Sequence, residues 1–265
     1  MYSFNYQKAK SVADAAAVLA KNGDAKPLAG GQSLIAAMKL RLAHPSDVVD
    51  LGTIADLKGI KVAGDSVTIG AMTRHAEVAA SAEVKKAIPA LASLAGSIGD
   101  RQVRNMGTIG GSLANNDPAA DYPAGVLGLG ATVVTNKRKI AADDFFKGMY
   151  ETALSADEII TAVSFPVPKK AAYAKFPNPA SRFALVGVFV AQLADGSVRV
   201  AVTGASPSVF RAAPLEAALA KSFTADAAKA VKIDAKGLNS DLHGSAAYRA
   251  HLVSVMAGRA AAAAG

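Results

Sequence analysis

Ala29-Gly30-Gly31-Gln32-Ser33 and Thr108-Ile109-Gly110-Gly111-Ser112 are the stretches on which the reading of this chain turns. Each follows a short apolar run, and each joins two adjacent glycines to a hydroxyl residue. Glycine lets backbone come close to a neighbour or a ligand and reaches positive φ without penalty. Consecutive amide N–H groups can then converge on an anion such as a pyrophosphate. A lone glycine pair marks an ordinary turn more often than a site. Two of them in one small domain can grip the two phosphates of a single dinucleotide.

Working outward from the first stretch, Lys26-Pro27-Leu28-Ala29 reads as a short buried strand. Leu34 to Leu42 has helical spacing, with Lys39 and Arg41 at the end that favours positive charge. The stretch therefore lies between a strand and a helix N-terminus, where an anion is favoured. Ser33 offers its hydroxyl either to a phosphate oxygen or to a helix cap. Taken alone, the stretch reads as a capped turn. Upstream, Ser11 and Asp14 form an N-cap signature for a helix that stops at Asn22-Gly23.

The second stretch sits inside Arg104–Asp121, where polar and small residues dominate. It reads as a long functional loop with nothing to build a hydrophobic core. Asp121 can accept from ribose hydroxyls, or it can be an ordinary carboxylate at a helix start; both readings stand.

The remaining pattern is mixed. Val48–Leu51, Ile60–Val62, Val67–Ile69, Ala131–Thr135 and Glu158–Phe165 read as strands, and Arg74–Ala80 and Pro89–Ser97 as helices. A boundary falls around residues 166–174. Beyond it, Arg182–Leu193 and Val198–Gly204 form a hairpin turning at Asp195-Gly196. Helices follow at Pro214–Lys221, after Thr224, and at Ser245–Ala264, with a frayed alanine tail expected after Gly258. This order is α+β rather than the regular alternation of a doubly wound sheet.

Composition narrows the function classes. The chain has 265 residues, 51% hydrophobic and 19% charged, which is a globular balance. It has no cysteine, so disulfides, thiolate-held clusters and a cysteine nucleophile are excluded. His44, His75, His243 and His251 are scattered without a metal-binding spacing. The net charge of +8 is spread out, and the one basic run, Lys137-Arg138-Lys139, has no interleaved aromatics. It reads as a solvated hairpin tip, not a nucleic-acid platform. Apolar runs fall short of a transmembrane segment, and Met1-Tyr2-Ser3-Phe4 does not open a secretory signal. A cytoplasmic location is expected, including the inner face of the membrane. No GxGxxG follows the first strand, and neither GxxxxGK[ST] nor GxSxG occurs, so Rossmann, P-loop and hydrolase readings fall away.

With both glycine stretches placed, the chain resembles the FAD-binding subunits of molybdenum hydroxylases. That family holds the medium subunit of aerobic carbon monoxide dehydrogenase and the FAD domain of xanthine dehydrogenase. The likeness is carried by AGGQS, by the run from Gln102 to Ala124, by Lys175-Phe176, by Pro179–Gly187 and by Gly244-Ser245-Ala246-Ala247-Tyr248-Arg249. It implies a two-subdomain FAD-binding fold of the vanillyl-alcohol-oxidase (PCMH) type, with subdomains at residues 1–55 and 56–168. A C-terminal domain at 169–265 with a three-stranded antiparallel sheet and helices is implied to follow.

The resemblance also implies the site. Cofactor contacts are expected from Pro27, Leu28, Ala29, Gly30, Gly31, Gln32, Ser33 and Leu34 in the first stretch. The second stretch would add Thr108, Ile109, Gly110, Gly111, Ser112, Asn115, Asp117 and Asp121, and Ile160, Lys175 and Phe183 would stand near the flavin. Ser112 departs from the Asn or Asp of some relatives. Lys175 and Phe183 are the flavin-tuning candidates, and no other catalytic residue and no metal ligand is expected. FAD is expected to be non-covalent, because the chain has no cysteine and neither stretch contains histidine. Molybdopterin and two [2Fe–2S] clusters belong, by the same likeness, to a large and a small partner subunit in a dimer of heterotrimers. Electrons would pass from the clusters through FAD to a quinone, NAD or oxygen. Two alternatives stay open: a standalone flavin oxidoreductase of this fold and an assembly subunit without FAD.

Overall fold

The computed structural model describes residues 1–264. Its first unit is a three-stranded parallel sheet in the order Asn5–Lys8, Asp47–Asp50, Lys26–Leu28. Parallel neighbours need crossovers, and the helices Val12–Lys21 and Leu34–Lys39 supply them. Ser11 Oγ accepts from the Asp14 amide at 3.0 Å and starts the first of these helices. Its Ala15 and Leu19 pack against Val49, Leu51, Ile54 and Leu57.

The second unit is a five-stranded antiparallel sheet in the order Ile60–Ala63, Ser66–Gly70, Ile160–Pro166, Thr132–Thr135, Lys139–Ala141. Alternation buries one face, with Val67, Ile69, Val133, Val163 and Phe165 fully covered. The helices Pro89–Gly96, Ile109–Asn115 and Tyr122–Gly128 supply most of that cover through Leu91, Leu94, Ile109, Leu113 and Val126.

The second glycine stretch therefore departs from the expected loop. Most of Arg104–Asp121 lies in two helices, Arg101–Met106 and Ile109–Asn115, with Ile109 and Leu113 in the core, while residues 116–121 keep the turns of a loop. Caps explain the helices: Asp100 Oδ1 accepts from Val103 N at 2.8 Å, and Thr108 Oγ1 from Gly111 N at 3.1 Å. Polar composition there marks helix starts, not an unstructured loop.

The third unit is an antiparallel sheet of four strands, Lys170–Pro177, Ala184–Gln192, Val198–Thr203 and Phe210–Arg211, the last of only two residues. Three strands were expected; the short fourth is the segment that leads into the helix Ala213–Lys221. Eight of the nine residues of Ala184–Gln192 are buried. Val186, Val188 and Val190 face the helix Ala246–Ala264, whereas Phe189 and Ala191 join the core of the second unit. Burial on both faces explains why this strand is an unbroken apolar run.

The alanine tail is also corrected. The helix continues to Ala264, and Ala260 and Ala261 are buried. Small residues let this helix lie against Ala225–Lys229; a Cβ on Gly258 would stand 2.7 Å from Lys229 Cγ. Among the described residues no helix is long and apolar enough to cross a membrane.

Candidate functional site

The three units meet around a cleft of about 910 Å³. That is near the top of the range for small-molecule sites, roughly 300–1,000 Å³, and leaves room for a dinucleotide. Both glycine stretches contribute to its lining, and they touch each other. A Cβ on Gly30 would collide with the Met106 carbonyl and stand 2.7 Å from Gly107 Cα. A Cβ on Gly111 would stand 3.3 Å from Ala29 Cβ.

The stretches differ in what they offer a ligand. None of the amides of Gly30, Gly31, Gln32 and Ser33 donates to an acceptor among the described residues. Gly31 sits at φ +75°, which curls these amides into a turn ahead of the helix Leu34–Lys39. Ser33 makes no cap, so its hydroxyl is uncommitted. The second stretch is already engaged. Ile109 N donates to Thr73 O, Gly110 N to Ala71 O at 2.8 Å, and Gly111 N to Thr108 Oγ1. Gly110 is needed for approach: its Cβ would stand 2.6 Å from Ala71 Cβ.

Most of the expected contact residues lie on the cleft wall: Pro27, Ala29 to Leu34, Thr108, Gly110 to Ser112, Asn115, Asp117, Asp121, Ile160 and Phe183. Leu28, Ile109 and Lys175 are not part of the lining. Asp117 is held in a turn, with Oδ1 accepting from Ala119 N at 2.8 Å. Ile160 begins a strand whose register shifts at residue 161, and the Thr161 carbonyl accepts from Ala71 N.

Asp121 has partners inside the protein. Tyr173 Oη donates to it at 2.6 Å and Lys175 Nζ at 3.0 Å. Burial lifts the Asp121 carboxyl above its usual range in spite of both partners, and the same burial, with Asp121 beside it, pushes the Tyr173 phenol well up. Lys175 Nζ also donates to Ser97 O at the end of the helix Pro89–Gly96, where a cation is favoured. The lysine charge is thus compensated behind the wall.

Wall residues that sequence reading missed include three groups. Ala71, Met72 and His75 follow the strand Ser66–Gly70; Ile98 and Gly99 precede the helix Arg101–Met106, and Val103 lies within it; Thr152, Leu154 to Ala156, Glu158 and Ile159 add a further stretch of wall. No motif marks them, because the packing of strands and helices distant in the chain brings them here. His75 N donates to Gly107 O at 3.0 Å, and the ring packs where a Gly107 Cβ would be, 2.5 Å from Nε2. Burial first, then Arg104, pushes the imidazole down to about 4, so it is neutral at pH 7. His75 Nδ1 is one buried polar atom without a partner among the described residues.

Glu158 accepts from Arg138 Nε and Nη2, each at 3.0 Å, and from Thr135 Oγ1 at 2.7 Å. The Arg138 bonds lead in lowering its carboxyl to about 2. The basic run does turn between two strands. It is more than solvated surface, since Arg138 and the Lys137–Asp157 pair at 2.6 Å anchor this stretch of wall.

Unpaired amides beside a glycine turn, a large cleft and an uncommitted hydroxyl suit a phosphate-bearing dinucleotide. Comparison with known proteins agrees. Residues 2–168 match the family described as "FAD binding domain in molybdopterin dehydrogenase", and residues 171–264 match "CO dehydrogenase flavoprotein C-terminal domain". The chain is 40% identical over 264 residues to the nicotine 6-hydroxylase medium subunit of Paenarthrobacter nicotinovorans, covering 95% of this chain and 93% of that one. It is 35% identical over 268 residues to the glyceraldehyde dehydrogenase medium chain of Sulfolobus acidocaldarius, covering 96% and 95%. A solved carbon monoxide dehydrogenase from Hydrogenophaga pseudoflava, described as lacking the Mo-pyranopterin moiety of the molybdenum cofactor, superposes with a TM-score of 0.89 at 36% identity, covering 99% of this chain and 97% of that one.

Proposed function

Since this chain belongs to the family of FAD-binding medium subunits of molybdenum hydroxylases, an oxidoreductase component, we propose that it is the electron-relay subunit of its complex. It would receive electrons from [2Fe–2S] clusters on a small subunit and pass them to a quinone, NAD or oxygen. A large subunit would carry molybdopterin and bind the substrate, in a dimer of heterotrimers in the cytoplasm. The observation that carries the cofactor reading is the set of four unpaired amides from Gly30 to Ser33, facing a cleft of about 910 Å³.

When bound, FAD supplies the redox chemistry, and the protein supplies binding, orientation and electrostatics. The amides of Gly30 to Ser33 and the Ser33 hydroxyl would hold the pyrophosphate. Thr108, Gly111, Ser112, Asn115 and Asp117 also line the cleft and would contact the cofactor beside them. Asp121 would meet the ribose edge while keeping its Lys175 and Tyr173 partners. Ile160 and Phe183 would bound the flavin pocket, with Lys175 tuning it through Asp121. Attachment is non-covalent: the chain has no cysteine, and His75 is packed on Gly107.

Substrate lies outside this chain, as relatives that share its fold are named for nicotine, glyceraldehyde and carbon monoxide. The segments Asn116–Ala124 and Asn178–Val188 lean toward the carbon monoxide dehydrogenase-like branch. Purification of the native complex, with metal analysis and identification of its chains, tests the relay. Molybdenum, iron and two partner chains are the expected result. A lone flavoprotein that turns over a small donor by itself would replace this reading with a standalone oxidoreductase.

A further inference from the structure

The turn between the strands Lys170–Pro177 and Ala184–Gln192 ends at Phe183, which lines the cleft and is partly exposed. Asn178 organises that turn. Its amide donates to Phe183 O at 2.8 Å, its Oδ1 accepts from Ala180 N at 2.9 Å, and its carbonyl accepts from Arg182 N at 2.9 Å. Arg182 is held at φ +63°, a conformation that costs a non-glycine residue and persists where surroundings impose it.

A second segment reaches the same point. The His243 ring meets the Phe183 ring edge to face, centroids 5.7 Å apart, and His243 Nδ1 lies 3.3 Å from Asn178 Nδ2. His243 N donates to Asp241 Oδ1 at 2.9 Å. Asp241 is gripped by Arg249 Nη2 through both oxygens, at 2.9 and 2.7 Å. Arg249 is 2% exposed, and its Nη1 donates to Leu185 O at 2.7 Å and Gly204 O at 3.0 Å. The motif Gly244–Arg249 thus places a buried guanidinium at the base of a loop whose tip touches the cleft aromatic.

We propose that His243 is a positioning residue for Phe183, and that a strut from Arg249 through Asp241 and His243 to Asn178 holds this ring at the edge of the FAD cleft. The strut rests on the reading that FAD occupies the cleft. Three features agree with this role. Asn178 is buried, yet it spends its side chain on the turn and the histidine. The strained Arg182 immediately precedes Phe183. The charge-assisted Arg249–Asp241 pair, in which Nη2 reaches both carboxylate oxygens, restricts the His243 loop, whose neighbour Leu242 is 90% exposed and gives it no packing of its own.

The test uses the full chain, with and without FAD. Hydrogen exchange of the FAD-free His243→Ala variant should rise at residues 178–183 and stay unchanged in the flanking strands. In the FAD-loaded protein, His243→Ala should speed FAD dissociation by about two- to tenfold, the scale of one lost edge-to-face pair. Iodide should quench bound-flavin fluorescence more strongly. His243→Phe should restore part of each effect, and Asp241→Asn should act in the same direction. Adding His243→Ala to Phe183→Ala should add nothing to the dissociation rate. Unchanged exchange at 178–183, or fully additive effects with Phe183→Ala, would overturn the strut. Absence of FAD binding in the unmutated chain would overturn the cofactor reading, and the exchange arm would still decide the strut.

Discussion

Gly30 and Gly111 look alike in the sequence but do different work. A Cβ at Gly30 meets fixed backbone at Met106 and Gly107, whereas one at Gly111 meets the Thr108 hydroxyl at 3.0 Å. Gly30→Ala should therefore cost about 1–3 kcal/mol by overpacking and weaken FAD binding more than tenfold, with Gly111→Ala milder on both counts. Denaturation and FAD titration of both variants check the order; equal effects would show that the stretches do not brace each other at Gly30. His75 carries a pH signature. Its folded pKa is lowered from 6.5 to about 4, so the unfolded chain takes up the proton first. Stability should be fully present above about 6.5 and fall as pH drops toward 4. His75→Gln should remove that component, seen as a pH-dependent difference in Tm between the two proteins; a constant difference would mean that the imidazole is not held neutral. The glycine pairs were readable as sites of close approach. His75 was not, because only its contact with Gly107 gives it a place in the cleft.

Elements tell a similar story through their ends. Thr108 caps the helix Ile109–Asn115, whereas Ser33 precedes Leu34–Lys39 without capping it. Thr108→Val should therefore lower stability by about 1 kcal/mol, the usual worth of a cap. Ser33→Ala should leave stability nearly unchanged and reduce FAD affinity instead. Urea unfolding beside FAD titration separates the two; a stability loss at Ser33 would show an undetected cap. Strands and helices with strong periodicity were legible, among them Val67–Ile69, Pro89–Ser97 and the hairpin turning at Asp195-Gly196. Arg101–Met106, Ile109–Asn115 and the alanine end of Ala246–Ala264 were misread for one reason: small and polar residues look loose when their neighbours are unknown. Ile109–Asn115 and the alanine end of Ala246–Ala264 are ordered because other helices and strands cover them.

At the scale of the whole molecule, Asp121, Tyr173 and Lys175 tie the FAD-binding part to the C-terminal sheet across a buried ion pair. Lys175→Met leaves a buried carboxylate without its cation and should cost about 3–5 kcal/mol, with Asp121→Asn in the same chain recovering part of the loss. The midpoint potential of bound flavin in Lys175→Met reports whether the pair also tunes it; an unchanged potential would confine the pair to stability. Local chemistry was within reach of the amino-acid order: where backbone could curl around an anion, which segments alternate, and which cofactor family the motifs resemble. Those properties depend on residues close together in the chain. The tertiary structure alone decided that Gly30 rests on Met106, that the amides of 30–33 stay free while those of 109–111 are engaged, and that Lys175 answers Asp121 rather than lining the cleft. Apart from the local cap of Gly111 N on Thr108, the contacts of Gly30 with Met106, of Ile109 and Gly110 with Thr73 and Ala71, and of Lys175 with Asp121 join residues far apart in sequence, and only the packing of the sheets around one cleft specifies which donor finds which acceptor.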